Sequence, residues 1–75
     1  MKIKLYDYVE LIGETADGYE IPPGTRGYVI ETYPKSGNCE VEFRDPSGNV
    51  LASSTVKEQY LVVIRRKEER QRVTA

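Results

Sequence analysis

The chain has no histidine and no tryptophan, and only one cysteine, one methionine and one phenylalanine in 75 residues. Each scarcity removes a class of chemistry. Without histidine there is no Ser–His or Cys–His pair to activate a nucleophile and no imidazole for a zinc site of ordinary ligand set. A single cysteine, Cys39, cannot close an internal disulfide, and one unpaired thiol suits a reducing compartment. No apolar run approaches the roughly 18 residues that a spanning helix requires. The start, Met1-Lys-Ile-Lys-Leu5, leads straight into Tyr6 and Asp7 rather than into the apolar centre of an export signal. The expectation is a cytoplasmic protein that is not an enzyme, with no metal, no cofactor and no membrane association.

What is present is enough for one thin core. Val, Ile, Leu and Phe together make 18 of the 75 residues, above the level of a disordered chain but too few for a second core. The net charge of −1 conceals a split: residues 1–64 carry six Lys/Arg against ten Asp/Glu, and residues 65–75 carry five against two. Such asymmetry marks a folded domain, 1–64, followed by a basic, flexible tail, 65–75.

Within the domain the dominant period is two. Residues 7–12 set Val9 and Leu11 on one face with Glu10 opposite; residues 27–33 are β-branched and aromatic; residues 39–44 put Cys39, Val41 and Phe43 inward and Glu40, Glu42 and Arg44 outward. Pro34-Lys-Ser-Gly-Asn38 reads as a hairpin loop with Gly37 or Asn38 at positive φ, and Asp45-Pro-Ser-Gly-Asn49 as a second turn before an extended Val50–Ser54. Thr55-Val-Lys-Glu58 has capping-box spacing and predicts one 3₁₀ or α turn over Val56–Tyr60, ahead of a last strand at Leu61–Ile64. The Gly- and Pro-rich stretch between Ile12 and Gly27 is a long loop pinned by Ile21. Together these elements predict an all-β fold, an SH3-like small five-stranded barrel with a short helical turn before the last strand and a charged C-terminal tail; a partly open OB-type barrel is the alternative.

Two groups of residues are candidates for contact with a partner. Tyrosine outnumbers phenylalanine six to one, and a tyrosine offers large area with a polar tip at low entropic cost; Tyr8, Tyr19 and Tyr28 are the candidates beside the long loop. Glu31, Glu40 and Glu42 are placed to gather as an acidic strand face, with Glu40 and Glu42 as its core. The plainer reading of both is a Tyr-rimmed core and a solvated face. For nucleic acid, the candidates are Arg65, Arg66, Lys67, Arg70 and Arg72 in the tail. Cys39, inward on its strand, reads as an inert core thiol, and Asp17 and Glu20 as loop carboxylates without ligand spacing.

The blocks Asp7-Tyr-Val-Glu-Leu11, Gly24-Thr-Arg-Gly-Tyr-Val29, Glu40-Val-Glu-Phe43 and Asp45-Pro-Ser-Gly48 resemble a family of short bacterial and cyanobacterial proteins grouped as a domain of unknown function, over about residues 5–64. The resemblance implies an SH3-like barrel and brings no established site residues. Some members of that family lie in gene neighbourhoods that suggest toxin neutralisation or immunity. Gly24, Gly27 and Val29 are also similar to the Gly-x-x-Gly-x-Val of KOW-type SH3-like modules in ribosomal and transcription proteins. The functional expectation is a non-catalytic protein-binding module, a small neutralising (antitoxin- or immunity-like) or regulatory partner of an unidentified protein. The alternative is a KOW-like RNA-binding or ribosome-associated module.

Overall fold

Alternation of apolar and polar residues dictates strands, and strands are what form. The computed structural model describes residues 1–18 and 20–67. It contains β1 (Tyr8–Leu11), β2 (Arg26–Tyr33), β3 (Asn38–Arg44), β4 (Val50–Lys57) and β5 (Leu61–Arg65), with a lone 3₁₀ turn at Glu58–Tyr60 before β5. All neighbours are antiparallel, in one sheet ordered β4-β3-β2-β1-β5. The all-β class, the five strands and the single turn agree with the sequence reading. Closure into a barrel is not among the strand pairings, in which β4 and β5 end the sheet.

The expected inward positions lie in the core, which Ile3 and, on an extended β4 rather than in a turn, Val56 complete. Val9, Leu11, Val29, Cys39, Val41, Phe43 and Val56 have no exposed surface, Leu61 retains 7%, and Ile21 packs against them from the long loop. Gly27 stands opposite Phe43 in the β2–β3 register, and a Cβ there would run into the Glu42 carbonyl and the Phe43 Cα. The close approach of the two backbones requires glycine. Gly37 closes the β2–β3 hairpin at φ 76°, where an L side chain would be strained.

The capping box does not form. Pairing of Thr55 and Val56 with Glu40 and Cys39 carries β4 on to Lys57, so Thr55 is extended when its hydroxyl would be needed at a helix start. Its hydroxyl instead donates to Glu40 at 2.8 Å, and the Glu58 carboxylate accepts the Ile3 N–H at 3.1 Å. Lys57, the residue before the turn, makes no side-chain cap. The turn is correspondingly shorter than Val56–Tyr60.

The parity that buries Val9 and Leu11 also turns Asp7 inward, where 1% of it is exposed. Its Oδ2 accepts the Lys4 N–H at 2.9 Å and pairs with Arg66 Nη1 at 2.6 Å, which also donates to the Lys2 carbonyl at 2.8 Å. Arg65 is the last residue of β5. The first two residues of the expected tail are therefore held on the sheet, while residues 68–75 lie outside the described residues.

Two outcomes follow from this packing. Phe43→Ala should lower stability by about 3–5 kcal/mol, visible as loss of a cooperative thermal transition; melting within a few degrees of the parent chain would contradict the inward face of β3. Arg66→Gln strands a buried carboxylate and should cost about 1–3 kcal/mol, less than the roughly 3–5 kcal/mol of a fully buried broken pair because Arg66 is partly solvated. Arg65→Gln, which removes an exposed ring contact, should cost less than about 1 kcal/mol. Denaturant midpoints of the two variants check the ordering.

Candidate functional site: an arginine–tyrosine row across the sheet

The residues that alternate with the core line up on the opposite face in register. Arg65 on β5 faces Tyr8 on β1, Tyr8 faces Tyr28 on β2, Tyr28 faces Glu42 on β3, and Glu42 faces Ser53 on β4. Beside this row runs a second one, Val62, Glu10, Arg26, Arg44 and Val50. The Tyr8 and Tyr28 rings are 5.0 Å apart between centroids and tilted by 44°. The Arg65 Cζ stands 4.8 Å from the Tyr8 centroid, and the Arg44 Cζ 5.4 Å from that of Tyr28. Two guanidinium groups thus bracket two tilted, touching rings, each attracted to the negative ring face.

Carboxylates fix Arg44 and its neighbour Arg26 in place. Arg44 meets Glu42 Oε1 through Nη2 at 2.5 Å and Nε at 3.2 Å, and Arg26 Nε meets Glu10 Oε1 at 3.0 Å. Arg26 also interacts with the Tyr8 hydroxyl, and its pKa is held above the ordinary arginine value, chiefly by the Glu10 hydrogen bond. At one end the rows open into a cleft of about 550 Å³ between the long loop (Pro23, Gly24, Thr25) and the β3–β4 turn (Asp45, Pro46), with Tyr8, Arg26, Arg44 and Leu51 also lining it. The turn is rigid by its own chemistry: Asp45 Oδ1 accepts the N–H groups of Ser47 and Asn49, both at 2.9 Å, and Oδ2 accepts from Asn49 Nδ2 at 3.1 Å. These bonds, those from Asn49 foremost, hold the Asp45 carboxyl below its usual range.

The residues singled out in the sequence are distributed as follows. Tyr8 and Tyr28 come together at the centre of the row. Tyr19 lies outside the described residues. Glu40 and Glu42 share the outer face of β3, and Glu31 stands opposite Glu40; Glu42 is occupied by Arg44 and Glu40 by the Thr55 hydroxyl. The basic group is divided. Arg65 joins Tyr8 on the outer face, Arg66 is spent on Asp7, and the Lys67 Nζ sits 5.1 Å from the Tyr6 centroid. Arg70 and Arg72 lie outside the described residues. Asp17 is used structurally, accepting the Ser54 hydroxyl and, at 3.0 Å, the Thr55 N–H. Among the described residues no three Cys, Asp or Glu side chains gather as metal ligands.

Arg26 and Arg44 are the members of this site that sequence reasoning did not name. The outward parity of Arg44 was legible, but its place over Tyr28 depends on strand register, which the sequence pattern leaves open.

A small all-β domain with an Arg–Tyr face is the class these features define. The family described as Domain of unknown function (DUF4926) matches residues 5–63, and the chain belongs to that family. No curated protein and no solved structure matches the chain.

Cys39 offers a clean check on the core beneath the site. Burial pushes its thiol from an ordinary 9.0 up to about 11, with the Glu58 and Asp7 carboxylates adding to the effect. The unfolded chain then ionises first, so the stability this thiol contributes is whole below about pH 9 and is lost as pH rises towards about 11. Denaturant midpoints of the parent chain should fall more steeply across that window than those of Cys39→Ala; parallel slopes would show a solvated thiol.

Proposed function

We propose that the protein is a non-catalytic module that binds another protein through the outer face of its sheet. The observation that carries this reading is the Arg65–Tyr8–Tyr28–Arg44 row. Tyrosine and arginine are the residues in which interface energy concentrates, and here they are pre-positioned by one another and, for Arg44, by Glu42, so binding has less to order. The cleft at the end of the rows gives the face relief. A small neutralising or regulatory partner of a larger protein is the role that such a module fills, in keeping with the gene neighbourhoods of the family it resembles.

An Arg–Tyr row is also a platform for unpaired bases, which favours RNA as the second reading. Charge separates the two. Counted through Lys67, the chain carries nine Lys/Arg against ten Asp/Glu, so the folded part is nearly neutral once the first tail residues are included. On the face itself Glu10, Glu42, Glu40 and Glu31 interleave with the arginines. A phosphate backbone, with a negative charge at every nucleotide, meets those carboxylates wherever it tracks along the strands. A protein surface can set cations of its own against them while placing single carboxylates on the arginines.

Quantitative affinity capture from an extract of the native organism, with and without ribonuclease, tests the reading. Tyr28→Ala and Arg65→Gln, each verified as folded, should reduce recovery of the captured protein at least tenfold. Undiminished capture by both would exclude this face. Submicromolar binding of single-stranded RNA at physiological salt, falling steeply as salt rises, would promote the second reading.

A further inference from the structure

The cleft at the end of the row has a more specific chemistry than the face as a whole. We infer that it accepts an extended acidic segment of the partner protein, one or two carboxylate side chains set between apolar residues; this inference rests on the protein-binding reading above.

Three observations carry it. The first is charge. Arg26 and Arg44 both line the cleft, with side chains 48% and 38% exposed. Among the described residues Arg26 meets its carboxylate through Nε alone, and a guanidinium has five N–H donors in a planar fork suited to a second carboxylate. Arg44 spends Nε and Nη2 on Glu42, while its Nη1 is 3.5 Å from the Gly48 carbonyl, a long contact that a stronger acceptor can replace.

The second is the state of the one acid in the cleft wall. The Asp45 carboxylate is committed to Ser47 and Asn49 through three hydrogen bonds. Those donors turn its oxygens towards its own turn, and although it keeps its charge, the groups that line the cleft carry two positive charges, Arg26 and Arg44, against this one.

The third is the apolar wall. Pro23, Pro46 and Leu51 border the cleft, and Leu51 is 52% exposed on a strand whose core side is already filled. Apolar residues flanking the carboxylate would cover this surface. A polyanion uses only the arginines and leaves the apolar wall wet, whereas an acidic-apolar peptide uses both.

The test is a displayed random octapeptide library panned against the full chain, followed by titration of the selected peptide labelled with fluorescein. Selected sequences should be enriched in Asp and Glu beside apolar residues. Changing the acids of the selected peptide to their amides should weaken binding at least tenfold, and so should the double variant R26Q/R44Q. L51S, which removes the apolar wall without adding charge, should weaken it several-fold. Backbone amide shifts of the folded double variant away from the substituted positions establish that the sheet is intact.

Failure of the inference is distinguishable from failure of the broader reading. No selected peptide, selected peptides without acids, or binding that ignores both arginines would overturn the acidic-segment proposal. Capture that still depends on Tyr28 and Arg65 would then leave the protein-binding face standing. Competition of the selected peptide by single-stranded RNA with equal or higher affinity would overturn both.

Discussion

A carboxylate with 1% of its surface exposed has to be compensated, and here the compensation comes from the far end of the chain. Asp7 accepts from Lys4 and pairs with Arg66, which in turn holds the Lys2 carbonyl. The backbone around it is tied to β2: Tyr6 N–H donates to the Val29 carbonyl at 2.7 Å, and Val29 N–H donates to Asp7 at 3.0 Å. The N-terminal stretch, β2 and the end of β5 therefore meet around one residue, β2 through its backbone and Arg66 through its side chain. Tyr6 takes a positive φ of 67° in the process, an uncommon conformation for a non-glycine residue. The arrangement also builds the site. With Arg66 drawn to Asp7, Arg65 before it faces outward at the end of β5, opposite Tyr8, and its guanidinium covers that ring.

Much of this was legible in the pattern of residues. Parity alone separates Val9, Leu11, Val41 and Phe43 from Glu10, Glu40, Glu42 and Arg44, because a strand has only two faces and the core needs one of them. Tyr8 and Tyr28 fall on the outward side by the same rule. Register is what parity cannot supply: that Tyr8 meets Tyr28, and that Arg44 and Arg65 bracket them, depends on which residues pair across strands and on the bulges between Tyr8/Val9 and Phe43/Arg44. Arg66 was obscured for a different reason. In a run of basic residues, charge composition reads as a solvated tail, and the partner that singles out one arginine lies 59 positions away. Thr55 and Glu58 show the complementary error, a local spacing that fits a cap but loses to cross-strand pairing of Thr55 and to the bond between the Glu58 carboxylate and the Ile3 N–H.

The face draws its character from pairs rather than from single charges. Glu42 holds Arg44 over Tyr28, and Glu10 holds Arg26 beside Tyr8. Exposed ion pairs of this kind contribute little to stability, about 0–1 kcal/mol. Their larger consequence is conformational, since a long arginine side chain anchored at one nitrogen presents its remaining donors in a restricted direction. An acidic neighbour is thus compatible with an anion-accepting arginine, provided that the neighbour occupies one edge of the fork.

The long loop links the stability of the sheet to the shape of the cleft. Its first half guards the outer edge of β4: Ala16 N–H donates to the Thr55 carbonyl at 2.7 Å, and Asp17 takes the Thr55 N–H, so part of an edge open to intermolecular pairing is covered. Its second half is the cleft wall. Gly24 N–H returns to the Leu11 carbonyl at 2.7 Å, and the Thr25 hydroxyl closes on Pro22 at 2.7 Å, while Ile21 anchors the span between them in the core. A wall tied at both ends and in the middle is already ordered before a ligand arrives, which spares association the entropic cost of ordering it. The same anchoring makes the loop a poor place to loosen: a change at Ile21 or Asp17 would disturb the β4 edge and the cleft together, although neither side chain lines the cleft.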